Sequence, residues 1–221
     1  GSESVVAEGP WTGSTLPELI GRFGAELLGK ANYARFGQEF PLLVKFIDAR
    51  EDLSIQVHPD DELARKRHGK SGKCEMWYVL EAEPGASLLT GFSRPIAPAE
   101  YERRVADNTL TDVLNRQAIA SGDVFYLPAG RGHSIGKGSF IVEIQQSSDI
   151  TYRIYDFDRR DAAGNSRELH TELAREAIDF ESSENSRITY APENNQEVRL
   201  VTTPYFTTSL YTLTARTGCD W

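Results

Sequence analysis

Short apolar or β-branched runs separated by Gly, Pro and Asp dominate the centre of the chain. They fall at residues 40–49, 53–59, 75–81, 87–92, 123–127, 140–145 and 151–157. Runs of this length and spacing predict strands of a mainly β fold, a sandwich or a barrel. Helical periodicity is confined to residues 16–30, 59–68, 98–114 and 167–180. The second of these opens on Pro59 followed by Asp60, Asp61 and Glu62, a composition suited to the first turn and positive end of a helix. After the polar stretch 182–186, strand patterns resume from about Ile188, at 198–202 and 205–215. The expected organisation is a β domain with helical additions over 1–185 and the start of a second, incomplete β domain over 186–221. The region after about Asn185 contains no His, so it is expected to lie outside any active site.

Polar residues inside the strand patterns are the candidates for chemistry. Strand alternation places Ser54, Gln56 and His58 on one face and Ile55 and Val57 on the other. Lys45 interrupts the apolar run 43–47, and Glu75 opens the run that continues through Met76 and Trp77. Residues 122–133 follow the pattern G-x5-P-x-G-x2-H, a strand entering a Pro/Gly turn that projects His133 inward. Two of the chain's four histidines thus fall at candidate ligand positions. Two imidazoles, a carboxylate and an amide oxygen, from His58, His133, Glu75 and Gln56, suit zinc or a similar first-row divalent ion and would be odd for magnesium or calcium. Lys73 precedes Glu75 by two residues on the same face, where a neighbouring cation would favour its neutral amine and an acid/base role. Lys45 and Ser54 could meet an anionic substrate, or be satisfied polar residues near the site's edge. His68, in the basic run 65–70, and His170, near a helix start, read as solvated or rim positions. Cys74 alternates away from Lys73 and Glu75 and reads as packing.

The formal charge of −9 disfavours phosphate backbones and anionic membranes, so nucleic-acid and membrane partners are not expected. With 221 residues, 39% of them hydrophobic, the chain can bury a sizeable core. Two cysteines, Cys74 and Cys219, do not make a disulfide framework, and no signal or membrane segment is evident; a cytoplasmic setting is expected. Both termini read as cut ends of a longer chain, and nothing in the pattern indicates an oligomeric state.

The blocks at 41–45, 53–59, 73–78 and 127–136 resemble the signature segments of type I mannose-6-phosphate isomerases, zinc enzymes of the cupin superfamily. The segment 143–149, followed by 151–153 and 155–159, extends the resemblance in family order. It implies a cupin-type β-barrel (jelly roll) with a few appended helices, followed by a metal-free cupin-like domain. It further implies one Zn2+ held by Gln56, His58, Glu75 and His133. The resemblance puts the catalytic arginine at Arg159 and the active-site lysines at Lys45 and Lys73; Ser54, Lys45 and Arg159 are the expected substrate-binding residues. The implied reaction interconverts mannose 6-phosphate and fructose 6-phosphate by proton transfer through an enediolate. The alternatives are a non-catalytic metal-cupin that binds a sugar or its phosphate and a metal-dependent oxygenase. Gln56 in place of an imidazole weakens the latter.

Overall fold

A computed structural model of the chain describes residues 4–181 and 185–214. It divides into two compact units, residues 1–42 and 43–221. The first carries short helices α1 (Leu16–Phe23), α2 (Ala25–Leu28) and α3 (Lys30–Phe36). A capping box starts α1: Glu18 N donates to Thr15 Oγ1 and Thr15 N donates to Glu18 Oε2. The continuous helix expected over 16–30 is instead broken at Gly24 and Gly29, whose positive φ values of 49° and 81° no helix accommodates.

The second unit holds the strands that form the site. One five-stranded sheet has the order β1 (Leu42–Ala49), β8 (Ser139–Gln146), β3 (Glu75–Ala82), β6 (Val124–Leu127), β10 (Arg187–Ile188). The other runs β5 (Leu114–Ala118), β4 (Ser87–Phe92), β7 (His133–Ile135), β2 (Ile55–Val57), β9 (Tyr152–Tyr155). The pairings β10–β6, β3–β6 and β3–β8 of the first sheet, and β2–β7, β2–β9, β4–β5 and β4–β7 of the second, are antiparallel. Trp77, Val79, Phe125, Leu127 and Ile141 of the first sheet form one buried cluster with Leu88 and Ile135 of the second, so the sheets pack face to face.

The outer side of the second sheet is equally apolar. Ile55, Val57, Leu89, Tyr152 and Ile154 join Tyr101, Leu110, Ala174 and Ile178 in a second buried cluster. It packs helices α4 (Asp61–His68), α5 (Pro98–Ala106) and α6 (Thr171–Ala177) onto that sheet. The alternation at 54–58 is therefore real: Ile55 and Val57 serve the helical side, leaving the opposite face to polar residues. The helix expected to reach residue 114 stops at Ala106, where Asn108 takes a φ of 56° and a short 3-10 turn leads into β5. The strand series expected from Ile188 also divides. Arg187–Ile188 extends the first sheet beside β6, while β11 (Glu197–Thr202) and β12 (Thr207–Tyr211), among the described residues, pair only with each other. The expected run to 215 ends outside the described residues, as does Cys219.

Candidate metal centre

Register brings the polar residues of the two sheets into one place. On β7, His133 lies opposite Gln56 of β2 and Thr90 of β4, and Gln56 in turn lies opposite Arg153 of β9. Directly opposed residues of antiparallel strands share a face, so Thr90, His133, Gln56 and Arg153 form one row across the inner side of the second sheet. Facing them, Glu75 opens β3 opposite Gln145 of β8.

His58, Glu75 and His133 are 2%, 0% and 1% exposed, and one ligating atom from each lies within 4.8 Å of the others. His133 Nε2 is 3.1 Å from Glu75 Oε1, and His58 Nε2 is 3.6 Å from Glu75 Oε2. The other ring nitrogens are anchored: His58 Nδ1 lies 2.8 Å from the Ile150 carbonyl and His133 Nδ1 2.8 Å from the Arg131 carbonyl. A carbonyl can only accept, so each Nδ1 carries hydrogen and each neutral ring offers Nε2 as a lone pair. Trp77 packs its ring edgewise against His133 at 5.3 Å between centroids.

Charge states follow from burial and neighbours. Desolvation holds His58 well below the usual imidazole range, aided by nearby Lys73 and His133 and only partly opposed by Glu75. Burial alone would raise Glu75, but its interactions with His133 and Lys73 outweigh it and keep the carboxyl well below its ordinary value. Neutral imidazole and ionised carboxylate are the forms that bind a cation. His58 Nε2, His133 Nε2 and both Glu75 oxygens are buried without an aligned hydrogen bond. Two buried imidazole acceptors without partners, converging on a buried carboxylate, are costly unless a cation joins them, so the residues fit a divalent metal.

The remaining expected residues occupy different places. Lys73, 5% exposed, reaches Glu75 Oε2 at 2.9 Å. Lys45 donates to Glu143 Oε1 at 2.8 Å and to Gln145 Oε1 at 2.5 Å, and Glu143 also accepts from Trp77 Nε1 at 3.1 Å. Ser54 Oγ accepts from Arg153 Nε at 3.3 Å. Arg159 lies beyond the end of β9, donating to the Asp52 carbonyl at 2.6 Å and to Asp156 Oδ1 at 2.5 Å. With Arg160, Arg167 and Asp156 it lines a cavity of about 290 Å³. Cys74 is buried, and burial pushes its thiol up to about 12. His68, though exposed, meets the Tyr152 hydroxyl at 2.7 Å, and His170 Nδ1 accepts from Arg153 N at 3.1 Å. Neither belongs to the His58, Glu75, His133 cluster.

Sequence reasoning passed over Arg153 and Glu143. The signal for Arg153 was present, since a lone cation between Tyr152 and Ile154 is the same interruption that singled out Lys45. Glu143 lacked such contrast because Gln145 and Gln146 follow it closely.

Residues 2–92 match the family described as phosphomannose isomerase type I, catalytic domain. The mannose-6-phosphate isomerase of Streptococcus mutans is 38% identical over 205 residues, 92% of this chain and 63% of that protein. Mannose-6-phosphate isomerase ManA of Bacillus subtilis is 40% identical over 181 residues, 81% of this chain and 56% of that protein. A crystal structure of the mannose 6-phosphate isomerase from Bacillus subtilis superimposes with a TM-score of 0.81 at 35% identity, covering 93% of this chain and 64% of that one. The chain thus spans 56–63% of the length of these curated relatives. Homology over most of its residues, with the fold and the buried His58, Glu75 and His133 in agreement, places the chain in the type I phosphomannose isomerase family.

Proposed function

We propose that the chain carries a zinc-dependent aldose-ketose isomerase site interconverting mannose 6-phosphate and fructose 6-phosphate. The observation that carries this reading is the convergence of the buried ligating groups of His58, Glu75 and His133, with both imidazole Nε2 atoms left without a partner. Gln56, on the same face and opposite His133, supplies the fourth ligand, and the two facing sheets are read as the walls of a cupin barrel. Zinc bound there would polarise the sugar's C1 and C2 oxygens and stabilise negative charge on them.

The chain's own residues divide the rest of the task. The reaction removes the proton at C2 of the aldose, leaves an enediolate, and returns a proton to C1. Lys73 Nζ, buried beside Glu75, is assigned as the group that carries this proton. Arg153, whose Cα lies opposite that of Gln56, supplies fixed positive charge toward the developing oxyanion. Arg159, held by Asp156 and the Asp52 carbonyl and flanked by Arg160 and Arg167, suits the phosphate dianion. Ser54 orients Arg153, and Lys45, bound to Glu143 and Gln145, adds positive potential for an anionic sugar.

Proton transfer through an enediolate has a direct signature. In deuterated buffer, the protein should introduce deuterium at C1 of fructose 6-phosphate or C2 of mannose 6-phosphate, read by NMR. Binding of mannose 6-phosphate without exchange or conversion would instead support the non-catalytic reading.

A further inference from the structure

The segment that delivers Lys73 is held from outside the site. Gly72 N donates to Asp61 Oδ1 at 2.8 Å, Lys73 N to the Pro59 carbonyl at 3.1 Å, and Cys74 N to Gln146 Oε1 at 2.9 Å. Asp61 Oδ1 also accepts from Gln146 Nε2 at 3.2 Å, so one carboxylate ties the start of α4 to this segment and to the end of β8. Its other oxygen accepts from the Tyr205 hydroxyl at 2.8 Å, and Tyr205 sits in the turn joining β11 to β12. Gly72 packs so tightly on this support that a Cβ there would lie 2.4 Å from the Asp60 carbonyl carbon. Burial alone would raise the Asp61 carboxyl, but hydrogen bonds from Tyr205, Gly72 and Gln146 outweigh it and keep an ionised acceptor.

We infer that Asp61, anchored by Tyr205, is a positioning residue that fixes the amine of Lys73 against Glu75, which makes the β11–β12 hairpin a working support of the site. The inference rests on the reading of Lys73 as the proton-carrying group. Gly72 and Lys73 are adjacent, so a shift of the Gly72 amide passes directly into the Lys73 backbone. The Lys73 side chain is 5% exposed and its amine meets Glu75 Oε2 at 2.9 Å, a contact that small displacements disrupt. The absence of site motifs after Asn185 thus conceals a contribution made through Tyr205.

The variants Asp61→Ala, Tyr205→Phe and Asp61→Asn separate this role from general stability. Amine acetylation followed by peptide mass spectrometry reports Lys73 labelling relative to Lys45 and Lys70, and requires no turnover. In Asp61→Ala the ratio should rise about fivefold and kcat fall about tenfold, with KM within about twofold and bound zinc unchanged, the scale of a lost hydrogen bond to a charged acceptor. Tyr205→Phe should move both readouts in the same direction by about threefold, since it removes only the outer bond. Asp61→Asn should recover most of the loss because its amide oxygen still accepts from Gly72. An unchanged Lys73 ratio in both Asp61→Ala and Tyr205→Phe overturns the inference, as does an unaltered kcat when the ratio rises. If Asp61→Ala fails to fold, Tyr205→Phe decides. If the wild-type chain shows no isomerisation, the functional reading fails while the labelling ratio still decides whether the brace exists.

Discussion

Gln56 and His133 are direct cross-strand partners on the inner face of the second sheet, although 77 positions separate them in sequence. The pairing places an amide oxygen and an imidazole from different strands on one face, opposite Glu75 of the other sheet. The candidate metal centre is therefore a product of sheet register, and a one-residue slip of β2 would turn Gln56 toward the helices.

Removing one anchored imidazole should empty the centre. His133→Ala is expected to reduce zinc retention at least about a hundredfold, and Gln56→Ala less, because a neutral amide is the weaker ligand. Metal analysis of purified variants checks this, and full zinc occupancy in His133→Ala would refute the assignment.

Arg153 and Arg159 should separate kinetically. Arg153→Ala is expected to lower kcat about a hundredfold with zinc content intact, the scale of one lost oxyanion partner. Arg159→Ala should mainly raise KM for the sugar phosphate, because its guanidinium, held beside Asp156, lines a cavity with Arg160 and Arg167. Steady-state kinetics with zinc-replete variants distinguish the two.

Metal-free stability should fall on acidification. His58 is held well below 6.5 in the folded chain, so the unfolded chain takes up its proton first as pH drops through that value. The stabilisation is complete above 6.5 and is lost below it; Glu75, also depressed, adds a loss of the same sign at lower pH. In chelator, the urea midpoint should drop between about pH 7.5 and about pH 5.5. A midpoint that holds or rises would contradict the assigned charge states.

Cys74 should be inert while the chain is folded. With its thiol near 12, the thiolate fraction at pH 8 is about one in ten thousand. Iodoacetamide at that pH should leave Cys74 unmodified until denaturant is added, as read by peptide mass spectrometry.

The strands that carry the site were legible because burial on one face left a clean alternation: Ile55 and Val57 serve the helical core, and Gln56 and His58 do not. His133 was legible from turn chemistry, with Pro128 and Gly130 reversing the chain before β7. Edge strand β5 escaped notice because Asn115, Arg116 and Gln117 lack the apolar face of an interior strand. Helix ends were missed where Gly24, Gly29 and Asn108 adopt positive φ within favourable periodicity. The Asp61–Tyr205 link depends on a pairing across 144 positions, which local pattern does not encode.

The most direct test of a zinc-dependent isomerase site is a coupled assay for fructose 6-phosphate formation from mannose 6-phosphate, run before chelation, after chelation and after zinc is restored. Turnover should vanish with the metal and return with it, in proportion to zinc bound per chain. A folded, zinc-replete chain that produces no fructose 6-phosphate, or one whose turnover persists after complete metal removal, would contradict the account.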